Sequence, residues 1–192
     1  MRIVEARFPA SDPDALASWY AENVGAAPMF IDGETSPHHF AFHVADLEPW
    51  KQRLDVSEEH DFSSWGGARA VYFRDPEDNV VELIARPQAG PLLDSGRRPY
   101  ELMLAEVGLP VEDVAAAVEA LIRELDLSAY DDWDETFAPV GDDDGLLIVV
   151  RVGRGWFPVG APSGPAPIEV TLRGVRAGEV EVPGSGHRVI GT

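Results

Sequence analysis

Glu5, His39 and Glu82 lie far apart in the chain, yet one imidazole and two carboxylates make an N/O donor set suited to a divalent first-row metal. Such a set leaves positions open for water or a substrate. If the segments around them are strands, alternate side chains share a face. Glu5, Arg7, His39, His43, Tyr72, Arg74 and Glu82 then fall opposite the apolar faces carried by Val4, Ala6 and Phe8, by Phe40, Phe42 and Val44, and by Val71, Phe73, Val81 and Leu83. A solvated polar face needs no metal, and Glu5 could equally pair with a neighbouring Arg7 or Arg74. The residues therefore leave two readings open, a metal site and a charged sheet surface.

The elements that would carry these residues recur. One phrase appears three times: an alternating strand, an acidic residue able to cap a helix, then an amphipathic helix. It runs from Ile3 through Asp12 to Asn23, from His39 through Asp46 to Leu54, and from Glu106 through Asp113 to Leu125. Seven positions before the acidic residue stand Glu5, His39 and Glu106. The second copy continues into Arg69–Arg74, the turn Asp75-Pro-Glu-Asp-Asn79 and Val80–Ala85, which reads as a hairpin. The third continues into Thr136–Val140, Leu146–Arg151 and Pro167–Arg173. These patterns predict an α+β fold of repeated βαβββ modules, the first abbreviated. The units are 1–36 and 37–86, paired with each other, a Gly/Pro-rich linker 87–99, a third unit 100–174, and a tail 175–192 that adds a hairpin or edge strand.

Composition narrows the function. The chain has 192 residues, 34 acidic against 15 basic side chains, and a net charge of −19, so it repels nucleic-acid phosphates. Lys51 is the single lysine, and an acidic, lysine-poor surface suits a protein that works in molar salt. The absence of cysteine excludes disulfides, thiolate metal sites and cysteine nucleophiles. No stretch approaches the length of a membrane span, which predicts a soluble, cytoplasmic protein. No phosphate loop, serine nucleophile elbow or zincin motif is present. Asp142–Asp144 lacks the ligand spacing of a calcium loop and reads as a solvated turn. Trp65, Trp133 and Trp156 read as packing or lid residues, and His38, His60 and His187 as loop residues.

The phrase His39-Phe-Ala-Phe-His-Val-Ala-Asp46, followed by Val71-Tyr-Phe-Arg-Asp-Pro-Glu-Asp-Asn-Val-Val-Glu82-Leu, resembles the vicinal oxygen chelate superfamily. That superfamily includes glyoxalases, bleomycin-resistance proteins and extradiol dioxygenases. The resemblance covers Met1 to about Arg86 well and Glu101 to Gly174 more weakly. It implies curved, cup-like mixed sheets with helices on the outer face. It also implies a divalent ion (Fe, Mn, Zn or Ni) held by His39 on a first strand, by Glu82 on a last strand and by Glu5 from a partnering unit. Tyr72 falls where ring-cleaving relatives place an acid/base tyrosine; Tyr72 or His43 would move protons and Arg74 would orient an anionic group. Glu106 and Glu169 match ligand positions in the third unit, with no histidine to join them. The resemblance thus implies a metal-dependent enzyme acting on a small oxygenated molecule. The alternative is a metal-free binding protein of the same fold. A third unit left unpaired would seek a twofold partner, which predicts a homodimer.

Overall fold

The computed structural model describes residues 1–87 and 102–192. The first strand, β1 (Arg2–Ala10), leads into α1 (Pro13–Asn23), whose N-cap Asp12 accepts from the Ala15 N–H at 3.0 Å with Pro13 in the first turn. A short β2 (Met29–Asp32) closes the first unit. The second unit comprises β3 (His39–His43), a single turn α2 (Glu48–Lys51), β4 (Glu58–Phe62), β5 (Ala68–Arg74) and β6 (Val80–Ala85). The helix is far shorter than the Leu47–Leu54 pattern suggests. Next come β7 (Met103–Val111), α3 (Val114–Leu125), β8 (Phe137–Asp142) and β9 (Gly145–Arg151). Asp113 caps α3 through the Ala116 N–H at 3.0 Å. The chain ends with the small pair β10 (Gly155–Trp156) and β11 (Ala161–Pro162), followed by β12 (Glu169–Arg173), β13 (Gly178–Glu181) and β14 (Arg188–Gly191).

The strands form a seven-stranded sheet, β4-β5-β6-β3-β7-β9-β8, and a five-stranded sheet, β13-β14-β12-β1-β2. This order corrects the sequence-based pairing of units. The second unit joins the third through antiparallel β3 and β7, and the first unit joins β12 through β1. The segment Pro167–Arg173, expected as the last strand of the third unit, instead opens a helix-less fourth unit, with β14 parallel to β12 and β13 at the edge. Sequence periodicity specifies which face of a strand is apolar, but not which of several similar edges it will meet. The third unit finds its partner within the chain, which removes the ground for expecting a dimer. The predicted linker 87–99 falls almost wholly outside the described residues.

The main core lies between the sheets and helices, where Phe8, Phe40, Phe42, Val107, Leu109, Val170 and Leu172 are buried together. The opposite face of the seven-stranded sheet is also buried, with Ala41, Ala70, Tyr72, Ile148, Val150 and Trp156 in a second cluster. Strand β3 therefore buries all five of its residues, and the polar face expected to meet solvent is enclosed.

The turn Asp75–Asn79 sets the register that matters. The Asp75 carboxylate accepts from the Glu77 and Asn79 backbone N–H groups, the Asn79 side-chain amide and the Tyr20 hydroxyl, all within 3.0 Å. Asn79 Oδ1 in turn accepts from the His38 N–H at 2.8 Å. This bond ties the start of β6 to the start of β3 and aligns Ala41 with Glu82, so that His39 and Glu82 share a face of neighbouring strands.

Candidate metal centre

His39, Glu82 and Glu106 converge on the enclosed face of the seven-stranded sheet, all three buried, with ligand atoms within 4.8 Å of one another. His39 Nδ1 lies 3.0 Å from the Val80 carbonyl, which can only accept, so Nδ1 carries the proton. In the neutral ring the Nε2 lone pair then points at Glu82 Oε2, 3.6 Å away, and Glu106 Oε2, 3.7 Å away. Both separations exceed a hydrogen bond. They fit two donors on one ion, which at bond lengths of roughly 2.0–2.2 Å stand at most about 4.4 Å apart. A histidine oriented by a carbonyl on its far nitrogen is the usual support for a metal-binding imidazole.

Charge and burial act against each other here. Burial alone would lower the His39 pKa, but Glu106 and Glu82 outweigh it and hold it above the ordinary value. Burial, then the neighbouring Glu106, raises the Glu82 carboxyl, and its Oε1 has no hydrogen-bond partner. Burial would also raise Glu106, but the Arg86 guanidinium, its ion-pair partner, holds it low. The Arg86 side chain has no solvent exposure. His39 Nε2, Glu82 Oε2 and Glu106 Oε2 therefore converge, Glu82 keeps a second oxygen without a partner, and the donor set fits a divalent cation.

The trio lies at one side of a cavity of about 210 Å³. Phe62, Trp65 and Tyr72 line it from the second unit, and Phe137, Ile148, Val150, Arg154, Trp156 and Phe157 from the third and its following loop. Gly108 makes room for the Trp156 ring, since a Cβ there would stand 2.5 Å from Cη2. The ring lies 5.4 Å from the His39 ring, and its Nε1–H is spent on the Pro37 carbonyl at 2.7 Å. Burial, then Glu82 and Glu106, pushes the Tyr72 hydroxyl far above its usual range, so it stays protonated and can act as a donor.

The other predicted site residues lie elsewhere. Glu5 is in the five-stranded sheet and accepts from Arg7 at 2.8 Å. Arg74 pairs with Asp78 at 2.9 Å in the hairpin turn and does not line the cavity. His43 is buried, with Nε2 3.4 Å from the Asp144 carbonyl, and also lies off the cavity lining. Glu106, where Glu5 was expected, stands with His39 and Glu82. Its signal was present in the repeat, where it shares the offset of His39, but the choice between the two glutamates depends on which unit pairs with the second. Arg86 and Arg154 carried no sequence signal, being single arginines in an extended segment and a loop.

No protein-family model matches the chain, and no curated protein matches it. Solved structures do. A glutamate-to-glutamine variant of glyoxalase I from Zea mays aligns over 99% of this chain and 92% of its own, at 14% identity and a TM-score of 0.57. A proposed dioxygenase from Bacillus subtilis subsp. subtilis str. 168 aligns over 90% of this chain and 70% of its own, at 12% identity and a TM-score of 0.52. The chain shares the fold of these structures, a strand-rich α+β architecture of curled mixed sheets. Among the described residues no helix is long and apolar enough to cross a membrane.

Proposed function

We propose that the protein is a metal-dependent enzyme of the vicinal oxygen chelate type, with a divalent ion held by His39, Glu82 and Glu106, acting on a small oxygenated molecule. The observation that carries this reading is the convergence of His39 Nε2 on two buried carboxylate oxygens at 3.6 and 3.7 Å, both longer than a hydrogen bond. When bound, such an ion supplies Lewis-acid polarisation of substrate oxygens. The chain's own residues supply the rest. Val80 orients the imidazole, Arg86 holds Glu106 in place, Tyr72 offers a proton donor to an oxygen near Glu82, and the aromatic walls exclude water. Isomerisation, lyase chemistry and oxygenation all begin from this arrangement.

Elemental analysis of protein dialysed against each candidate metal and then against buffer tests the reading. One tightly held ion per chain, lost in His39→Ala and in Glu106→Gln, is expected; no retained ion with any metal would overturn it. A second reading, a metal-free binding protein, is favoured by the Arg86–Glu106 pair, which already gives one carboxylate a cation. It predicts no ion and unchanged ligand affinity in chelator. The net charge of −19 with a single lysine supports a cytoplasm rich in salt, and a melting temperature that rises from low to molar KCl is the expected result.

A further inference from the structure

The cavity offers an incoming molecule few polar groups, and their placement is selective. The indole N–H of Trp65 is spent on Asp131 at 2.8 Å and that of Trp156 on Pro37, so neither is left as a free donor for a ligand. Phe62 stacks on Trp65 with ring centroids 5.4 Å apart and 20° between planes, and Phe157 stands edge-on to Tyr72 at 5.9 Å. The walls are therefore aromatic surfaces that favour a flat partner. Among the described residues, the cavity has one further charged lining residue besides the trio and Tyr72, namely Arg154.

Arg154 is exposed, with its guanidinium carbon 4.9 Å from the Phe137 ring centre, and no described carboxylate lies within ion-pair distance. Asp134, which feels its charge, spends Oδ1 on the Thr136 hydroxyl and the Thr136 and Phe137 N–H groups. A chain with a net charge of −19 repels anions at long range. An unpaired guanidinium beside an apolar cavity gives an anion a local reason to enter, and its planar fork matches a carboxylate.

We propose that this cavity takes a planar aromatic carboxylate, its ring between the aromatic walls and its carboxylate on Arg154. The proposal rests on reading the cup as the ligand site and deepens that reading by naming the substrate class. Calorimetric titration with benzoate, naphthalene-2-carboxylate, their neutral carboxamides and cyclohexanecarboxylate tests it. At least one aromatic acid should bind about tenfold or more tightly than its amide, and severalfold more tightly than the saturated acid. Arg154→Gln should abolish the preference for acid over amide, and Arg154→Lys should keep part of it. Saturable binding of neither aromatic acid, equal binding of acid and amide, equal binding of the saturated acid, or a preference that survives Arg154→Gln would each overturn it. Metal content measured on the same samples separates the two readings. A preference for the acid in protein that retains no ion after dialysis against any candidate metal upholds this proposal while defeating the metal site.

Discussion

The two sheets repeat one plan, and register shows how differently they use it. In the seven-stranded sheet Ala41 faces Glu106 across β3 and β7, and the same Ala41 aligns with Glu82 on β6. In the five-stranded sheet Arg7 faces Glu169 across β1 and β12 and aligns with Met29 on β2. Glu5 and Glu169 are thus the counterparts of His39 and Glu106, whereas the counterpart of Glu82 is Met29. Between them stand Arg7, which bonds Glu5 at 2.8 Å and Glu169 at 3.2 Å, and Arg188, which reaches Glu169 at 3.3 Å and Glu179 at 2.9 Å. These pairs are partly exposed and neutralise one another. The same strand positions therefore give a buried donor set where a hairpin and loop wall off the face, and a solvated ion ladder where they do not. Burial, more than the presence of carboxylates, separates a candidate site from a surface.

The largest break in this comparison is expected from equivalent glutamates. Glu106→Ala leaves Arg86 buried without its partner and should cost about 3–5 kcal/mol. Glu169→Ala, at the matching position, should cost no more than about 1 kcal/mol. Urea unfolding of the two variants measures the contrast, and equal losses would show that burial does not distinguish the sheets.

A somewhat smaller effect tests how the sheets are joined. His187 Nδ1 accepts from the Ile168 N–H at 3.0 Å, and its Nε2 donates to the Pro110 carbonyl at 2.7 Å, so a neutral ring bridges the fourth unit to β7. Burial lowers its pKa from 6.5 to about 4, partly offset by the Pro110 bond. The folded form of this base therefore binds its proton less readily than the unfolded form. Its contribution is complete above the unfolded value and is lost as pH falls from about 6.5 to about 4, by up to about 3 kcal/mol. Stability measured against pH should lose this component in His187→Gln, and an unchanged slope would remove His187 as its source.

Within the seven-stranded sheet, symmetry identifies a missing fourth donor. Gly108, two residues beyond Glu106, aligns with Ile148 as Ala41, two beyond His39, aligns with Glu82. Ile148 lines the cavity, so Ile148→Glu should raise divalent-ion affinity by about tenfold, or about 1.4 kcal/mol, in calorimetric titration. Smallest of all, Glu5→Ala should leave ion binding unaltered and change stability by less than about 1 kcal/mol, which would set Glu5 outside the donor set.

Much of this was legible in the chain, for identifiable reasons. Alternation in His39–Val44 and Arg69–Arg74 sorted the faces correctly, and Asp12 and Asp113 marked helix starts because a side-chain acceptor there meets an otherwise unpaired N–H. His39 and Glu82 could be found together because the turn that aligns them, Asp75 to Asn79, lies within one unit. The choice between Glu5 and Glu106 arises one level higher. Three strands carry an acid or imidazole at the same offset, and nothing local says which two become neighbours. Arg154 was illegible, and Trp156 was legible only as a packing or lid residue, for a related reason, since the loop that carries them has no periodicity to read.

The amino-acid order by itself determined the repeated unit, its apolar and polar faces, the helix caps and the turn that places Glu82 beside His39, because each depends on interactions within a few residues or within one unit. The tertiary structure decided that Glu106 completes the trio, that Arg86 neutralises it, and that an aromatic cup with one guanidinium covers it. Those outcomes depend on which of several equivalent edges pair and on what is thereby withdrawn from water, quantities that exist only once distant segments have met.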